Sequence, residues 1–581
     1  KGLKNIEIDP QMSKKSRPDD YRRRTDFQPE LDYYPFLIDK SEFVICPMAT
    51  IIIEASLMNK KVLLIQPRHG VWDGICIRFP ESMLTIAAMP HKMGYDVKIL
   101  DCRVTPEWEN VLRNYLKDGK PICVGITALT GPAIKDLLTS VEIIKKFDNT
   151  IPIIFGGVHA TLLPEQSLAH EGIDVVMKGE ADYTFFEVVK IFEKNSLDDV
   201  LKGDALNSVK GVYYYKRSSN GVAHKNNGSG NGDLTIKNPH NNNKFGENIV
   251  FTGYNPLVMD LDSLPDSPYE LLDLPKYNAV DLGHGVSASF QTSRGCPFAC
   301  KFCGNEVLQE RKMRTISSSK LVAKIKMLQT KYGYNSFLFV DDLTVAGRKH
   351  FIEFCTALAS IRPKIAWEST GIRANLISKL NKDDLKLLSE SGCKALDIGI
   401  ESGSERMLKH IQKADTKENM LHANRLIAEA NLPFTTKYTF IVGYPTETDE
   451  ERNETVEFFL QLYKDNPKIF PMFFVYLPIV GTALYNEIIS KKLFKSPKSL
   501  KDWVNIDSTS WFYKHDNWIP NHKRREISTI MISSLFCSEK AKIKFATPIG
   551  KMAFKLYHPI AKRRFKHRFF KAPVESYLIS G

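Results

Sequence analysis

From Lys61 to about Phe192 the chain alternates short, nearly continuous apolar runs with amphipathic stretches. The runs are KVLLIQP (61–67), DVKIL (96–100), ICVGIT (122–127), PIIFGG (152–157) and DVVMKG (174–179). Segments of helical spacing, such as AIKDLLTSVEIIKKF (133–147), lie between them. Fully apolar strands alternating with helices predict an α/β domain built on a doubly wound parallel sheet covered on both faces. Such sheets bind ligands outside the carboxyl ends of their strands, where GITALTGPA and FGGVHAT fall. From about 203 to 285 the texture changes. Residues 216–248 are rich in Gly, Asn, Ser and Lys, with almost nothing to bury, and read as a low-complexity excursion, a hairpin with a long tip. DLDSLPDSPYELLDLP (260–275) reads as a Pro-punctuated connector. The alternation resumes with SASFQTS (287–293), FLFVDD (337–342), IAWEST (365–370), ALDIGIE (395–401), TTKYTFIVG (435–443) and MFFVYLP (472–478). Six strand–helix units predict a partial (β/α)6 TIM-like barrel, whose working end is the carboxyl face of its strands. The expected division is an N-terminal extension (1–60), a first α/β domain (61–200), a linker (201–285), the barrel (286–485) and a C-terminal basic, aromatic region (486–581).

At 581 residues the chain is too long for one core, which agrees with two large domains. Hydrophobic residues make up 43% and charged residues 25%, an ordinary globular balance, and no apolar run is long enough for a membrane-spanning helix. The chain opens on Lys1 without a signal-peptide pattern, and the missing initiator Met reads as a fragment or a trimmed chain. Its ten cysteines are mostly scattered singly, which does not resemble a disulfide framework and points to a reducing cytoplasm. The net charge of +13 is concentrated near the C-terminus, around KLYHPIAKRRFKHRFFK. That segment reads either as a peripheral contact with an anionic membrane or as a helix packed by its aromatic side on the barrel. No nucleic acid is expected, because no recognition motif accompanies the charge.

One exception to the scattered cysteines decides the chemistry. RGCPFACKFCGN (294–305) places Cys296, Cys300 and Cys303 within eight residues, just after the first barrel strand. Structural zinc takes four protein ligands, and the next cysteine, Cys355, lies in a helical pattern some fifty residues on. A redox-labile loop and an incomplete zinc site are the plain alternatives. A 4Fe–4S cluster held by three thiolates leaves one iron open to a small molecule.

This Cys-x3-Cys-x2-Cys loop resembles the signature of the radical S-adenosylmethionine (SAM) enzymes, with Phe302 in the aromatic place before the last cysteine and Gly304 just after it. FVDDLTV (339–345), IRANLI (372–377), DIGIESGSERMLKHIQK (397–413) and FIVGYPTET (440–448) resemble the family's later strand signatures. The resemblance implies that Cys296, Cys300 and Cys303 hold the cluster and that SAM chelates its open iron. Asp341, Arg373, Glu401 and Ser402 are the implied cofactor-facing residues, and Gly443 and Pro445 form the turn beside the adenine. The first domain is similar to the Rossmann- or flavodoxin-like cobalamin-binding domain that precedes the barrel in one subclass, through KVLLIQP, GITALT, FGGVHATLLPE and VVMKGEADYTF. Gly156 and Gly157 lack a Cβ and would let the cofactor approach, while Thr127, Thr130 and His159 would hydrogen-bond its nucleotide tail. The Asp-x-His-x-x-Gly loop that ligates cobalt in other cobalamin proteins is missing, which implies cobalamin without histidine ligation.

The expected activity is therefore a cobalamin-dependent radical SAM reaction at an unactivated carbon, with C-methylation leading. SAM is cleaved reductively to a 5′-deoxyadenosyl radical, and methylcobalamin supplies the methyl group. Cyclisation or rearrangement is the alternative within the family, and a non-catalytic iron–sulfur electron-transfer protein the alternative outside it. The implied partners are a flavodoxin- or ferredoxin-type one-electron donor and a small-molecule or lipid-like substrate, which no motif identifies. The implied location is cytoplasmic, with membrane-peripheral contact through the tail.

Overall fold

The computed structural model describes residues 60–70, 73, 76–217, 248–277, 287–431, 435–506, 518–539 and 548–571. The N-terminal extension, apart from Lys60, and the core of the low-complexity excursion lie outside them.

Two α/β sheets form in sequence. The first contains β1 (Lys61–Gln66), β2 (Asp96–Asp101), β3 (Cys123–Thr127), β4 (Ile153–Gly156), β5 (Val175–Met177), β6 (Val212–Tyr215) and β7 (Ile249–Phe251), in the order β2-β1-β3-β4-β5-β6-β7. Its first five strands are parallel, as the apolar runs predict, because helices cover both faces. The strand order reverses between β1 and β3, which opens a crevice at their carboxyl ends. The stretch read as a linker adds antiparallel β6 and β7 to this sheet. VYYY and IVF are too short to stand out in a polar neighbourhood; β5 supplies the edge for β6, and β6 the edge for β7.

The second sheet holds β8 (Ala288–Phe290), β11 (Ser336–Phe339), β12 (Ala366–Ile372), β13 (Cys393–Glu401), β14 (Thr435–Val442) and β15 (Ile469–Val475), all parallel and in chain order. No pairing joins β15 back to β8 among the described residues, so the barrel is open. A short antiparallel pair, β9 (Ser293–Arg294) with β10 (Arg314–Thr315), brackets the cysteine loop. β15 begins three residues before the expected run, because Pro471 lies inside it, and an edge strand tolerates the missing N–H. Helix ends follow local chemistry. Ser317 caps Ser318–Tyr332 and Gly333 closes it at φ +74°, while Asn381 and Asp384 form a capping box on Lys382–Glu390.

The two sheets share their cores. Phe79 of the first domain packs edge-on against Tyr277 (5.4 Å) and Tyr334 (5.9 Å), and its N–H donates to Ser289 Oγ at the start of the barrel (2.7 Å). A carboxylate clasp completes the join. Arg314 places Nη1 and Nη2 on Glu180 (2.7 and 2.9 Å), and Arg294 does the same to Asp182 (3.1 and 2.8 Å). Both acids come from the GEAD turn after β5. Burial raises the Glu180 carboxyl, but hydrogen bonds from Arg314 and the charge of Arg294 outweigh it and leave it below the usual range. Removing one partner of a buried ion pair costs about 3–5 kcal/mol. Glu180→Gln is therefore expected to lower the thermal midpoint by several degrees, whereas Lys146→Ala, at an exposed pair, leaves it unchanged. Because the folded Glu180 carboxyl is depressed, its share of stability is present above the unfolded carboxylate value and is lost as pH falls below it. Equal midpoints for the two variants would show that the clasp does not hold the domains.

Candidate functional site

The cysteine loop leaves β8 at the carboxyl face, and two adjacent acids after β11 fix its start. Asp341 Oδ1 accepts the N–H groups of Thr292 (2.6 Å) and Ser293 (2.9 Å), and Oδ2 accepts the Thr292 hydroxyl (2.7 Å). Burial pushes the Asp341 carboxyl up to about 6, still low enough to be ionised at neutral pH. Asp342 Oδ2 accepts the Gly295 N–H (3.0 Å). Gly295 stands at φ +81°, and a Cβ there would strike the Lys312 carbonyl, so only glycine makes this turn. Further along, Lys301 N–H donates to the Ile411 carbonyl (2.9 Å), and its own carbonyl accepts the Leu484 N–H (2.9 Å). Asp341 thus braces the backbone of the loop.

Cys300 is buried, and Cys296 and Cys303 are half-buried. Burial raises the Cys296 thiol, opposed by the Arg373 charge, and pushes the Cys303 thiol up to about 11. Among the described residues no group of three or more His, Cys, Asp or Glu side chains closes around a single metal ion. A mononuclear zinc site needs such closure, whereas a cube-shaped cluster takes one thiolate at each of three corner irons. Arg373 Nη1 lies 3.8 Å from Cys300 Sγ, its guanidinium stacks 3.8 Å above the Phe298 ring, and Nη2 pairs with Asp415 (2.6 Å). Asn305 Nδ2 sits 3.8 Å from Cys303 Sγ.

The other barrel residues expected at the site fall into two groups. Glu401, at the end of β13, holds φ +68°, a conformation that is strained for a side-chain residue. Its Oε1 accepts from buried Lys413 Nζ (3.1 Å), and a Cβ at Gly399 would collide with both groups. Gly443 turns at φ +74° and gives its N–H to Glu447 (2.7 Å), with half-buried Pro445 following. Tyr444, between them, packs edge-on to Phe302 with centroids 6.2 Å apart. The site of Gly304 leaves Ile479 Cγ2 3.4 Å from a notional Cβ. Ser402, in contrast, is fully buried and turned into packing, bonded to Thr455 (3.2 Å) and to the Ser404 N–H (3.1 Å). Buried polar atoms without a hydrogen-bond partner among the described residues include Arg373 Nε, beside the cysteine loop, and Tyr444 Oη, Thr446 Oγ1 and Glu447 Oε1, in the turn after β14. Each costs roughly 1–3 kcal/mol until something polar meets it.

In the first domain, Thr127, Thr130, Gly156, Gly157 and His159 cluster at the ends of β3 and β4. Gly157 stands at φ +88° against the Thr127 hydroxyl, where a Cβ would collide. Gly156 is the opposite case, since a Cβ there would meet nothing within 4 Å. His159 is fully buried; Thr130 Oγ1 lies 3.0 Å from its Nδ1, and its Nε2 has no hydrogen-bond partner. Burial lowers its pKa to about 4, so the ring is neutral. The open space at Gly156 and the unpaired His159 nitrogen suit a bulky, polar-edged cofactor at the strand ends.

The two sites meet. The short helix Asn305–Gln309, directly after the cysteines, packs on the helix Val158–Leu162 that carries His159. Trp503 packs on His159 at 5.6 Å and donates to Gln166 Oε1 (2.5 Å), closing the first-domain end. Sequence reasoning singled out neither Trp503 nor Asp415. Lys413 and Tyr444 stood inside quoted motifs, and only the twelve-residue spacing of Lys413 from Glu401 was a signal within the sequence.

The sequence model of the radical SAM superfamily matches residues 290–459, and that of the B12 binding domain matches residues 80–189. An uncharacterized methyltransferase of Pyrococcus horikoshii is 28% identical over 74% of this chain and 84% of its own. The anaerobic magnesium-protoporphyrin IX monomethyl ester cyclase of Cereibacter sphaeroides is 27% identical over 63% of this chain and 53% of its own. The fold is similar to that of the cobalamin-dependent SAM radical enzyme OxsB, solved with aqua-cobalamin and SAM bound. The TM-score is 0.62 and the identity 16%, over 91% of this chain and 75% of that one. A chain with a three-cysteine loop at the barrel mouth and a B12 binding domain packed against it is a radical SAM enzyme with 4Fe–4S, SAM and cobalamin as its cofactors.

Proposed function

We propose that this enzyme methylates an unactivated carbon of a small-molecule or lipid-like substrate. The observation that carries the reading is the direct packing of the cysteine-loop helix Asn305–Gln309 on the His159 helix, which brings the strand ends of both domains to one place. The bound cofactors supply reductive cleavage of SAM, hydrogen abstraction and the methyl group. In this reading Cys296, Cys300 and Cys303 hold the cluster, and Arg373 steadies it with a positive charge beside Cys300. The unpaired atoms of Arg373, Tyr444 and Thr446, with Glu401 held in its strained conformation, bind and orient SAM. Phe302 and Tyr444 wall this region from water, and Gly443, Pro445 and Gly304 shape its backbone. Asp341 and Ser402 act one step back, as braces of the cluster loop and of the turn after β13. Gly156 leaves room for the corrin, Gly157 and Thr127 form its floor, and neutral His159, set by Thr130, offers Nε2 to the nucleotide tail.

An external one-electron donor is required, and we propose one of the flavodoxin or ferredoxin type. The domain division proposed is 61–200 for cobalamin and 286–485 for the radical SAM barrel, with β6 and β7 completing the first sheet. Among the described residues no helix is long and apolar enough to cross a membrane. A membrane-peripheral position, set by the C-terminal helix, completes the reading.

The reaction is tested with the full chain, reconstituted anaerobically with iron, sulfide and hydroxocobalamin and then reduced. 5′-Deoxyadenosine is expected from the parent chain, with loss of about a hundredfold or more for Cys296→Ala, Cys300→Ala or Cys303→Ala together with loss of cluster iron. Turnover that survives any of these substitutions, or one tightly held zinc ion in place of the cluster, sinks the proposal. A product heavier than substrate by one CH2, a methyl group in place of hydrogen, supports methylation, and a product lighter by two hydrogens assigns ring formation instead.

Gly156 offers a sharper check on the cofactor site. A methyl group at this position meets no atom of the described residues within 4 Å, so Gly156→Ala is expected to leave the apo-protein's thermal midpoint unchanged or slightly raised. It should nevertheless weaken hydroxocobalamin binding by about tenfold, the order expected when a filled position costs some 1.4 kcal/mol. Unaltered affinity places the corrin elsewhere.

A further inference from the structure

The C-terminal helix Pro548–His567 has two apolar faces, and one of them packs on the rest of the described residues. On the buried face Phe565 packs on Phe459 (5.2 Å) and Phe473 (5.8 Å), and Phe554 packs on Phe536 (6.1 Å). His558 Nδ1 meets the Phe536 carbonyl (2.6 Å), and Tyr557 meets Ser533 (2.9 Å), so the helix is locked against the barrel. The aromatic residues that give the segment its membrane-like composition are thus largely spent inside.

The second face is aliphatic. Ile549 is 77% exposed, Met552 59%, Leu556 68% and Ile560 48%. At 3.6 residues per turn these four lie within about 40° of Leu556, a single stripe along the helix. Exposed Lys551, Lys555, Lys562 and Lys566 form a ridge along one side of it. Between 548 and 571 the chain holds eight Lys and Arg residues and no Asp or Glu. Phe569, 55% exposed, extends the apolar surface beyond the helix end.

We infer that this stripe docks on an anionic lipid surface, with the aliphatic residues entering the acyl boundary and the lysine ridge lying among the headgroups. The inference rests on the membrane-peripheral reading proposed with the reaction, and it assigns the contact to the aliphatic stripe instead of the aromatic side chains. An apolar stripe on a uniformly basic helix matches the two attractions that hold interfacial helices, buried apolar area and attraction to anionic lipid. A nucleic acid would use the charge but leave the stripe in water. A second copy of this chain, paired stripe to stripe, would bring two lysine ridges together.

The full chain is to be sedimented with phosphatidylcholine vesicles, with and without phosphatidylglycerol. Binding is expected only with phosphatidylglycerol and should weaken as salt rises. Leu556→Glu combined with Ile560→Glu should reduce that binding about tenfold or more, as should Lys551→Glu combined with Lys555→Glu. Neither pair is buried, so thermal midpoint and 5′-deoxyadenosine output should stay at the parent level, which separates failure of this surface from failure of the reaction. Equal binding of the stripe variant and the parent would overturn the inference. So would tighter binding of an RNA that displaces the vesicles, or a dimer in sedimentation velocity that the stripe variant dissolves.

Discussion

The structure depends on how carboxylates hold the cysteine loop in place. Asp341 and Asp342 grip its start from inside the barrel, and Glu180 and Asp182 grip its flanking arginines from the first domain. A loop of three thiols has no regular hydrogen bonding of its own, and burying it exposes backbone groups to desolvation. Here those groups are met by ionised acceptors, whose hydrogen bonds are the stronger kind. The arginines that flank the loop are also the ones that bond the carboxylates of the first domain, so one stretch of chain carries both the loop and the join between the domains.

Coupling of this sort places both cofactor sites with little freedom. The crevice between β1 and β3 is a consequence of strand order, and the barrel mouth is a consequence of parallel strands running one way. Neither alone brings strand ends together. That requires the shared apolar core, in which Phe302, Tyr444, Tyr476 and Trp503 lie in one cluster with Phe155 and Tyr213 of the first sheet. Tight packing of this cluster resists shear between the domains.

Much of the fold could be read along the chain because parallel strands and their helices are local signals. The apolar runs mark nearly every parallel strand, and Cys296, Cys300 and Cys303 announce themselves by spacing. What stayed hidden depends on distant partners. Arg294 and Asp182 are 112 residues apart, and Arg314 and Glu180 are 134 apart, so no periodicity joins them. Asp341 reads as a cofactor-facing residue through the likeness of FVDDLTV to a family strand signature. Its side chain instead turns back to the β8 end, a choice made by the Thr292 and Ser293 N–H groups. The tail shows the same limit. Composition marked the basic, aromatic segment and left two readings open, and packing decides between them by turning Phe554 and Phe565 inward while Leu556 faces out.

Glu401 shows how such constraints are distributed. A residue with a side chain at positive φ costs of order 1–3 kcal/mol, and it persists only where its surroundings over-determine it. Gly399 clears the space, Lys413 holds the carboxylate, and the register irregularity between Gly399 and Glu401 in the β13–β14 pairing lets the backbone turn. Relaxing the strain would swing the carboxylate off Lys413 and leave a buried ammonium unpaired, which costs more than the strain itself. The conformation is therefore fixed before any ligand arrives. A binding site built this way spends little of a ligand's affinity on ordering its own side chains.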